Sequence, residues 1–169
     1  LRSLEWQREH GRGSVEAKGD GVSSVDPAPA AGSADASVES LSATLLAQDK
    51  SMFDRYCALF RLRDLALERT SEEAAVAIAS ALEGGDEDSA LLLHEVAYVL
   101  GQLQDPKTLP WLQTAARNEK LHPMVRHEAV EAMAGAGDDG LAATRDMLED
   151  PARIVRESAQ VAVDAAKYW

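Results

Sequence analysis

Two histidine–glutamate dipeptides, His94-Glu95 and His127-Glu128, are the residues of this chain whose types and spacing are best suited to chemistry. They lie thirty-three residues apart, at the same phase of a repeated helical pattern. Because repeats stack one on the next, equivalent positions come to lie side by side. Imidazoles and carboxylates are ligands of divalent iron, manganese and zinc. We therefore expect these four side chains to converge on one metal-binding patch.

The spacing within each dipeptide limits which groups can bind one ion. Adjacent helical residues point about 100° apart, so the His and the Glu of a pair flank a groove from two directions. Two His and one carboxylate with open positions form the ligand set of non-haem iron enzymes that use oxygen. The second carboxylate is then free to orient a substrate. Spacing alone does not decide whether Glu95 or Glu128 is the ligand.

Helical hairpins are the elements that must position these residues. Four segments align, at 53–59, 92–98, 125–131 and 155–161, with steps of roughly 39, 33 and 30 residues. Such periods are typical of solenoids built from two antiparallel helices per repeat. The sequence therefore predicts an all-α helical-hairpin solenoid (α-α superhelix) of about four repeats. The partner helices are expected near 38–47, 71–82, 106–118 and 139–148.

The helical period also predicts a buried face. Small residues at Ala97, Gly101, Ala129 and Ala132 should allow neighbouring helices to approach closely. Ser71 should cap the helix that follows it. The expected core residues are Leu41, Leu45, Leu59, Leu62, Val76, Ile78, Leu82, Val96, Val99, Leu100, Leu109, Leu112, Val130, Met133, Leu141, Leu148, Val155 and Val161.

Other polar or reactive residues have mainly structural interpretations. His122 precedes a proline at a turn and is expected to be structural. Arg126 and Arg156 occupy equivalent positions and should pair with nearby acids. Tyr98 and Met124 lie one helical turn from the histidines, where they either line a pocket or, as the commoner case, pack against neighbours.

Composition excludes several classes of function. The formal net charge of −12 should repel nucleic acids and anionic membrane surfaces, and should attract cationic groups. No apolar run approaches the roughly 20 residues of a membrane span. The single cysteine, Cys57, cannot form an internal disulfide and is expected to be a small core residue. These features predict a cytoplasmic protein that binds neither nucleic acid nor membrane.

The chain divides into three parts. Residues 1–10 resemble the end of a preceding helix, and residues 11–37 are rich in Gly, Ser, Ala, Pro and Asp, as an interdomain linker would be. Residues 38–169 form the predicted repeat domain that binds metal. The chain begins without a methionine, so we expect it to be part of a longer polypeptide.

Four segments resemble deoxyhypusine hydroxylases. HEVAYVLGQLQDP (94–106) and HPMVRHEAVEAM (122–133) look like that family's signature segments. SVDPAPA (24–30) is similar to its interdomain linker, and DPARIVRESAQVAVD (150–164) to its last repeat. The resemblance implies a HEAT-repeat protein of two similar halves, of which this chain matches the C-terminal one.

The resemblance also implies a ligand set and a reaction. His94, His127 and Glu128 would bind one Fe(2+), while Glu95 would orient the substrate as a catalytic carboxylate or act from outside the ligand set. The full-length enzyme would hold two Fe(2+), one per half, and would use O2 to hydroxylate the deoxyhypusine side chain of translation initiation factor 5A.

The implied partners are that factor and the N-terminal half of the same enzyme, and the isolated half should be inactive. The alternative from a different class is a non-catalytic HEAT-repeat scaffold that binds proteins along its concave face, because fold alone does not decide function.

Overall fold

The computed structural model describes residues 26–30, 36–69, 71–83 and 89–168 of the 169-residue chain. This part of the chain contains eight α-helices and no strand, which confirms the predicted all-α class. The predicted helix over residues 1–10 lies outside the described ranges. The helices are α1 (Val38–Leu46), α2 (Met52–Arg69), α3 (Glu72–Ser80), α4 (Ala90–Leu103), α5 (Leu109–Arg117), α6 (Pro123–Ala134), α7 (Gly137–Arg145) and α8 (Arg153–Ala165).

Consecutive helices pair into four hairpins, α1 with α2, α3 with α4, α5 with α6 and α7 with α8. The second helices of the hairpins, α2, α4, α6 and α8, also pack against one another in chain order and form one layer. The most extensive contact of the fold joins α4 to α6, the helices that carry the two His-Glu pairs. The predicted solenoid of about four hairpins is therefore confirmed.

Side-chain caps fix where several helices begin. Ser37, Ser71 and Ser89 each accept a hydrogen bond from the main-chain N–H three residues further on. Such caps satisfy N–H groups that have no partner within the helix. The cap predicted at Ser71 is confirmed. At the other end of α4, Gln104 adopts a left-handed conformation with φ of 48°, which stops the helix before the third repeat.

The core lies between the two helix layers, and most of the predicted core residues are buried there. Two predictions were wrong, because Val76 is 42% exposed and Val161 is 69% exposed. Leu141 and Leu148 are only partly buried. Cys57 is buried, as expected of a small core residue. Within the described residues, no helix combines the length and the apolar character that spanning a bilayer requires.

The first repeat has a different register from the one expected. Nε of Arg55 donates to the main-chain oxygen of Leu45 at 2.7 Å, and Nε of Arg126 donates to that of Ala116 at 2.9 Å. Both contacts reach a carbonyl ten residues earlier, so Arg55 is the counterpart of Arg126. The predicted alignment, which placed Arg55 at the position of His94, was therefore shifted by one residue. Tyr56 therefore stands in the first repeat where the next two repeats have histidine.

Part of the predicted linker packs against the repeats. The carboxylate of Asp26 accepts two hydrogen bonds from the guanidinium of Arg63 on α2, at 2.8 and 2.9 Å. Ala28 is 4% exposed and belongs to the core. Residues 26–30 are thus bound to the first repeat rather than separate from it.

Candidate metal centre

A glycine and an alanine set the distance between the two helices of the candidate site. A Cβ atom on Gly101 of α4 would lie 2.9 Å from the Cβ of Ala132 on α6. Real Cβ atoms are not found so close, so the absence of a side chain at Gly101 allows the helices to approach this far. The close approach predicted from small residues is confirmed at this pair.

Three of the four candidate side chains come together between α4 and α6. His94, His127 and Glu128 each offer a ligand atom, and these atoms all lie within 4.8 Å of one another. The ring centroids of the histidines are 5.5 Å apart, with planes inclined by 44°. Among the described residues, no other such group of His, Cys, Asp and Glu is found. Ligand atoms on one ion lie about 3–4 Å apart, so small side-chain rotations would let these three share an ion.

His94 and Glu128 are in direct contact across the two helices. Nε2 of His94 lies 3.1 Å from Oε2 of Glu128. Burial, followed by the charges of Glu131 and Glu95, raises the pKa of Glu128 to about 7. Burial and the charge of His127 lower the pKa of His94. Both shifts favour the uncharged forms of the two groups, which can share one hydrogen bond at this distance.

His127 is supported from its other side. Its Nδ1 lies 3.4 Å from Oε1 of Glu131, one turn further along α6, and 3.4 Å from the hydroxyl of Ser158 on α8. Ser158 in turn donates to Oε1 of Glu131 at 2.9 Å. Sequence reasoning missed both supporting residues. The available signals were the i+4 spacing of Glu131 and the position of Ser158, which occupies the Glu phase of the fourth repeat.

Glu95 is not a member of this group of three, although its charge contributes to the raised pKa of Glu128. It is half-buried near the first repeat. Burial, together with the charge of Asp26, raises the pKa of Glu95, while Arg63 opposes that rise. Burial and the charge of Glu95 in turn raise the pKa of Tyr56 to about 12. The Tyr56 hydroxyl donates to the main-chain oxygen of Leu91 at 3.1 Å.

The remaining polar residues have structural partners. His122 accepts a hydrogen bond from the N–H of Met124 at its Nδ1 and caps α6, in keeping with its expected structural role. Arg126 forms a buried ion pair with Asp150, as predicted. Arg156 forms no ion pair with an acid in the part of the chain that the structure describes, so that prediction was wrong. It donates to the main-chain oxygens of Asp150 and Pro151, because the turn before α8 places carbonyls rather than carboxylates within its reach.

The fold and the cluster between its repeats define the class of protein. The family model for HEAT repeats matches residues 77–164, more than half of the chain. The chain belongs to the HEAT-repeat family.

Within that class, its similarity is to deoxyhypusine hydroxylases, which confirms the resemblance seen in the sequence. The chain is 43% identical to the deoxyhypusine hydroxylase of Bos taurus over 169 residues, which cover 99% of this chain and 52% of the relative. It is 40% identical to that of Chaetomium globosum over 172 residues, 99% of this chain and 50% of the relative.

A solved structure shows the same relationship in three dimensions. The structure of human deoxyhypusine hydroxylase matches with a TM-score of 0.77 and 42% identity, over 99% of this chain and 55% of that one. The chain thus spans about half the length of the relatives it matches.

Proposed function

We propose that this chain is one metal-binding half of a deoxyhypusine hydroxylase. The observation that carries the proposal is the meeting of His94, His127 and Glu128 in a chain similar to those enzymes over 99% of its length. Two imidazoles and one carboxylate form a donor set that suits Fe(2+). We assign these three residues as the ligands of one Fe(2+), with a second ion held by the other half of the enzyme.

Oxygen activation is the chemistry that bound Fe(2+) supplies, with O2 as co-substrate. The chain's own residues prepare the site for the ion. The lowered pKa of His94 keeps its imidazole neutral, as a ligand must be. Glu128 gives up its proton when a cation replaces it. Gly101 allows the two helices to approach closely enough for all three side chains to reach one ion.

Glu95 is the residue we assign to the substrate. Its carboxylate is half-buried, outside the ligand group and close in sequence to His94. Burial opposes its ionisation, and the cationic amine of a deoxyhypusine side chain would restore the charged form by pairing with it. The net charge of −12 also favours a cationic substrate. The substrate is then the deoxyhypusine form of translation initiation factor 5A.

An anaerobic titration with Fe(2+), followed by metal analysis, tests the ligand assignment. We expect one ion per chain, and loss of binding in a His94→Ala/His127→Ala variant. His122→Asn is the matched control, because it alters the remaining histidine of the described region while keeping a side chain that can cap α6. Absence of binding, or equal binding by the double variant, would refute the assignment.

A hydroxylation assay tests the role of the chain in a two-half enzyme. One half supplies ligands for one ion, so we expect no product from the chain alone and product when the companion half is added. Glu95→Gln should reduce the rate with the companion half present while leaving Fe(2+) binding intact. Failure of the combined halves to hydroxylate deoxyhypusine would contradict the substrate assignment.

The cysteine content bears on the cellular compartment. The sequence contains a single cysteine, which cannot form an internal disulfide and suits a reducing compartment. We propose that the protein works in the cytoplasm.

A further inference from the structure

Two side chains that do not belong to the ligand group contact the same nitrogen of His127. Glu131 and Ser158 each place an oxygen 3.4 Å from Nδ1, the length expected when one N–H is shared between two acceptors. The hydroxyl proton of Ser158 is already donated to Glu131 at 2.9 Å. Ser158 therefore has only lone pairs to offer His127, and Oε1 of Glu131, which accepts that proton, likewise offers only lone pairs. The proton between them must come from the imidazole.

We propose that Ser158 and Glu131 are positioning residues that hold His127 protonated on Nδ1, which leaves the lone pair of Nε2 for the metal. The inference rests on the proposed function. A histidine that binds a metal through one nitrogen usually donates its other N–H to an oxygen, and such partners fix the ring and its tautomer. Here the partners come from two different repeats, because Glu131 lies on α6 and Ser158 on α8.

The two histidines are therefore prepared differently. His94 has its Nε2 in contact with Glu128, so an ion would have to separate these two groups to bind both. His127 is held at Nδ1, away from any ion bound at Nε2. The His127 side chain is 17% exposed and Ser158 is 9% exposed, whereas the Glu131 side chain is 53% exposed, so Ser158 is the better shielded of the two partners. The fourth repeat thus contributes to the site without supplying a ligand.

The imidazole tautomer of metal-free wild-type protein is the first test. Nitrogen-15 NMR at about pH 8, above the ordinary histidine pKa of ~6.5, reports which ring nitrogen carries the proton. We expect His127 to be protonated on Nδ1, and a larger share of the Nε2-protonated form in Ser158→Ala. Protonation of wild-type His127 on Nε2 would overturn the proposal, whether or not any variant folds.

A titration with Co(2+), followed by its visible absorption, is the second test. Ser158→Ala should weaken Co(2+) binding about 10-fold, within the range for loss of such a supporting partner. Ser158→Thr keeps the hydroxyl and should restore the affinity to within about 3-fold of wild type. Ser80→Ala is the matched control, since that hydroxyl donates to the main-chain oxygen of Ala77 on α3, away from the site.

The outcomes separate this inference from the proposed function. If wild-type protein fails to bind Co(2+), both the proposed function and the positioning role are refuted. If wild-type protein binds and Ser158→Ala binds equally well, only the positioning role is refuted. An equal loss in Ser80→Ala would also overturn it, because the effect would then be a general loss of stability. Unfolding curves for each variant identify that case.

Discussion

The two His-Glu pairs share a dipeptide and a repeat phase, yet their glutamates have different surroundings. Glu128 is 8% exposed and contacts His94 on α4. Glu95 is half-buried and is influenced by Asp26, Arg63 and Tyr56 of the segments before it. In both cases the glutamate faces the helix that precedes its own in the stack. Ser158, at the same phase of the fourth repeat, likewise faces α6.

The comparison shows how a solenoid gives one residue type two roles. Repetition copies the direction of a side chain, but the neighbour it meets depends on the preceding repeat. The repeat before Glu128 offers His94, so the group of His94, His127 and Glu128 forms there. The repeat before Glu95 offers Tyr56 at the corresponding position, so Glu95 remains outside that group.

Replacing Arg126, which precedes His127, by leucine should have the largest effect on stability. Leucine is the residue that precedes the other His-Glu pair. Arg126→Leu copies Leu93, but it leaves Asp150 buried without its partner. We expect a loss of about 3–5 kcal/mol in the free energy of unfolding, measured with urea. Adding Asp150→Asn should recover part of it. Arg153→Ala, which breaks an exposed pair with Glu157, should leave the stability nearly unchanged. Equal losses would contradict this account.

Truncating each glutamate tests the division of roles directly. Glu128→Ala should weaken Co(2+) binding about 100-fold or more, the upper end of what a supporting partner alone contributes. Glu95→Ala should change it by less than about 3-fold, because Glu95 lies outside the ligand group. Calorimetric titration measures both. If the two variants lose affinity equally, the glutamates do not have separate roles.

Adding a methyl group at Gly101, where α4 and α6 approach closely, should shift the two helices that carry the His-Glu pairs. Glycine-to-alanine changes inside helices usually stabilise by about 0.5–1 kcal/mol. Gly101→Ala should instead destabilise by about 1–2 kcal/mol, because its Cβ would press on Ala132, and Co(2+) binding should weaken. Gly135→Ala is the control, since its Cβ would meet only ordinary contact at 3.6 Å. Stabilisation by Gly101→Ala would show that the helices separate freely.

One expected effect depends on pH, namely a gain in stability when Glu128 is replaced. Glu128 has a pKa of about 7 in the fold, against its ordinary value of 4.5. The folded chain therefore holds a proton that the unfolded chain releases, and stability falls as pH rises between these values. In metal-free protein, Glu128→Gln should raise Tm at about pH 8, by about 2–4 °C for each kcal/mol regained. The gain in Tm should vanish near pH 5. A gain that stays constant with pH would contradict the raised pKa of Glu128.

Periodicity predicted the helices and much of the buried face, since these depend on residues within one repeat. Val161 shows the limit of that reasoning. Its helix, α8, packs against α6 and α7, but no later helix covers its other side within the described residues. Val76 belongs to the same apolar pattern, and yet its direction from α3 is toward solvent. An apolar stripe alone does not say which flank has a neighbour.

The site was predictable in its residue types and only partly in its geometry. The phase of the repeats identified His94 and His127 as neighbours, because stacking aligns equal positions. Each glutamate faces the helix that precedes its own in the stack. The sequence of a single repeat does not show which repeat lies on that side, so the partner of the glutamate could not be predicted. The contact between Asp26 and Arg63 joins residues thirty-seven positions apart, and no local sequence pattern predicts it.

The contact between Gly101 and Ala132 has a consequence for selectivity. Main-chain atoms approach there with almost no flexible side chain between them, so the gap between the imidazoles resists widening. A cation bound there as proposed would have to suit that opening, and we expect the stiffness of the scaffold to disfavour larger cations.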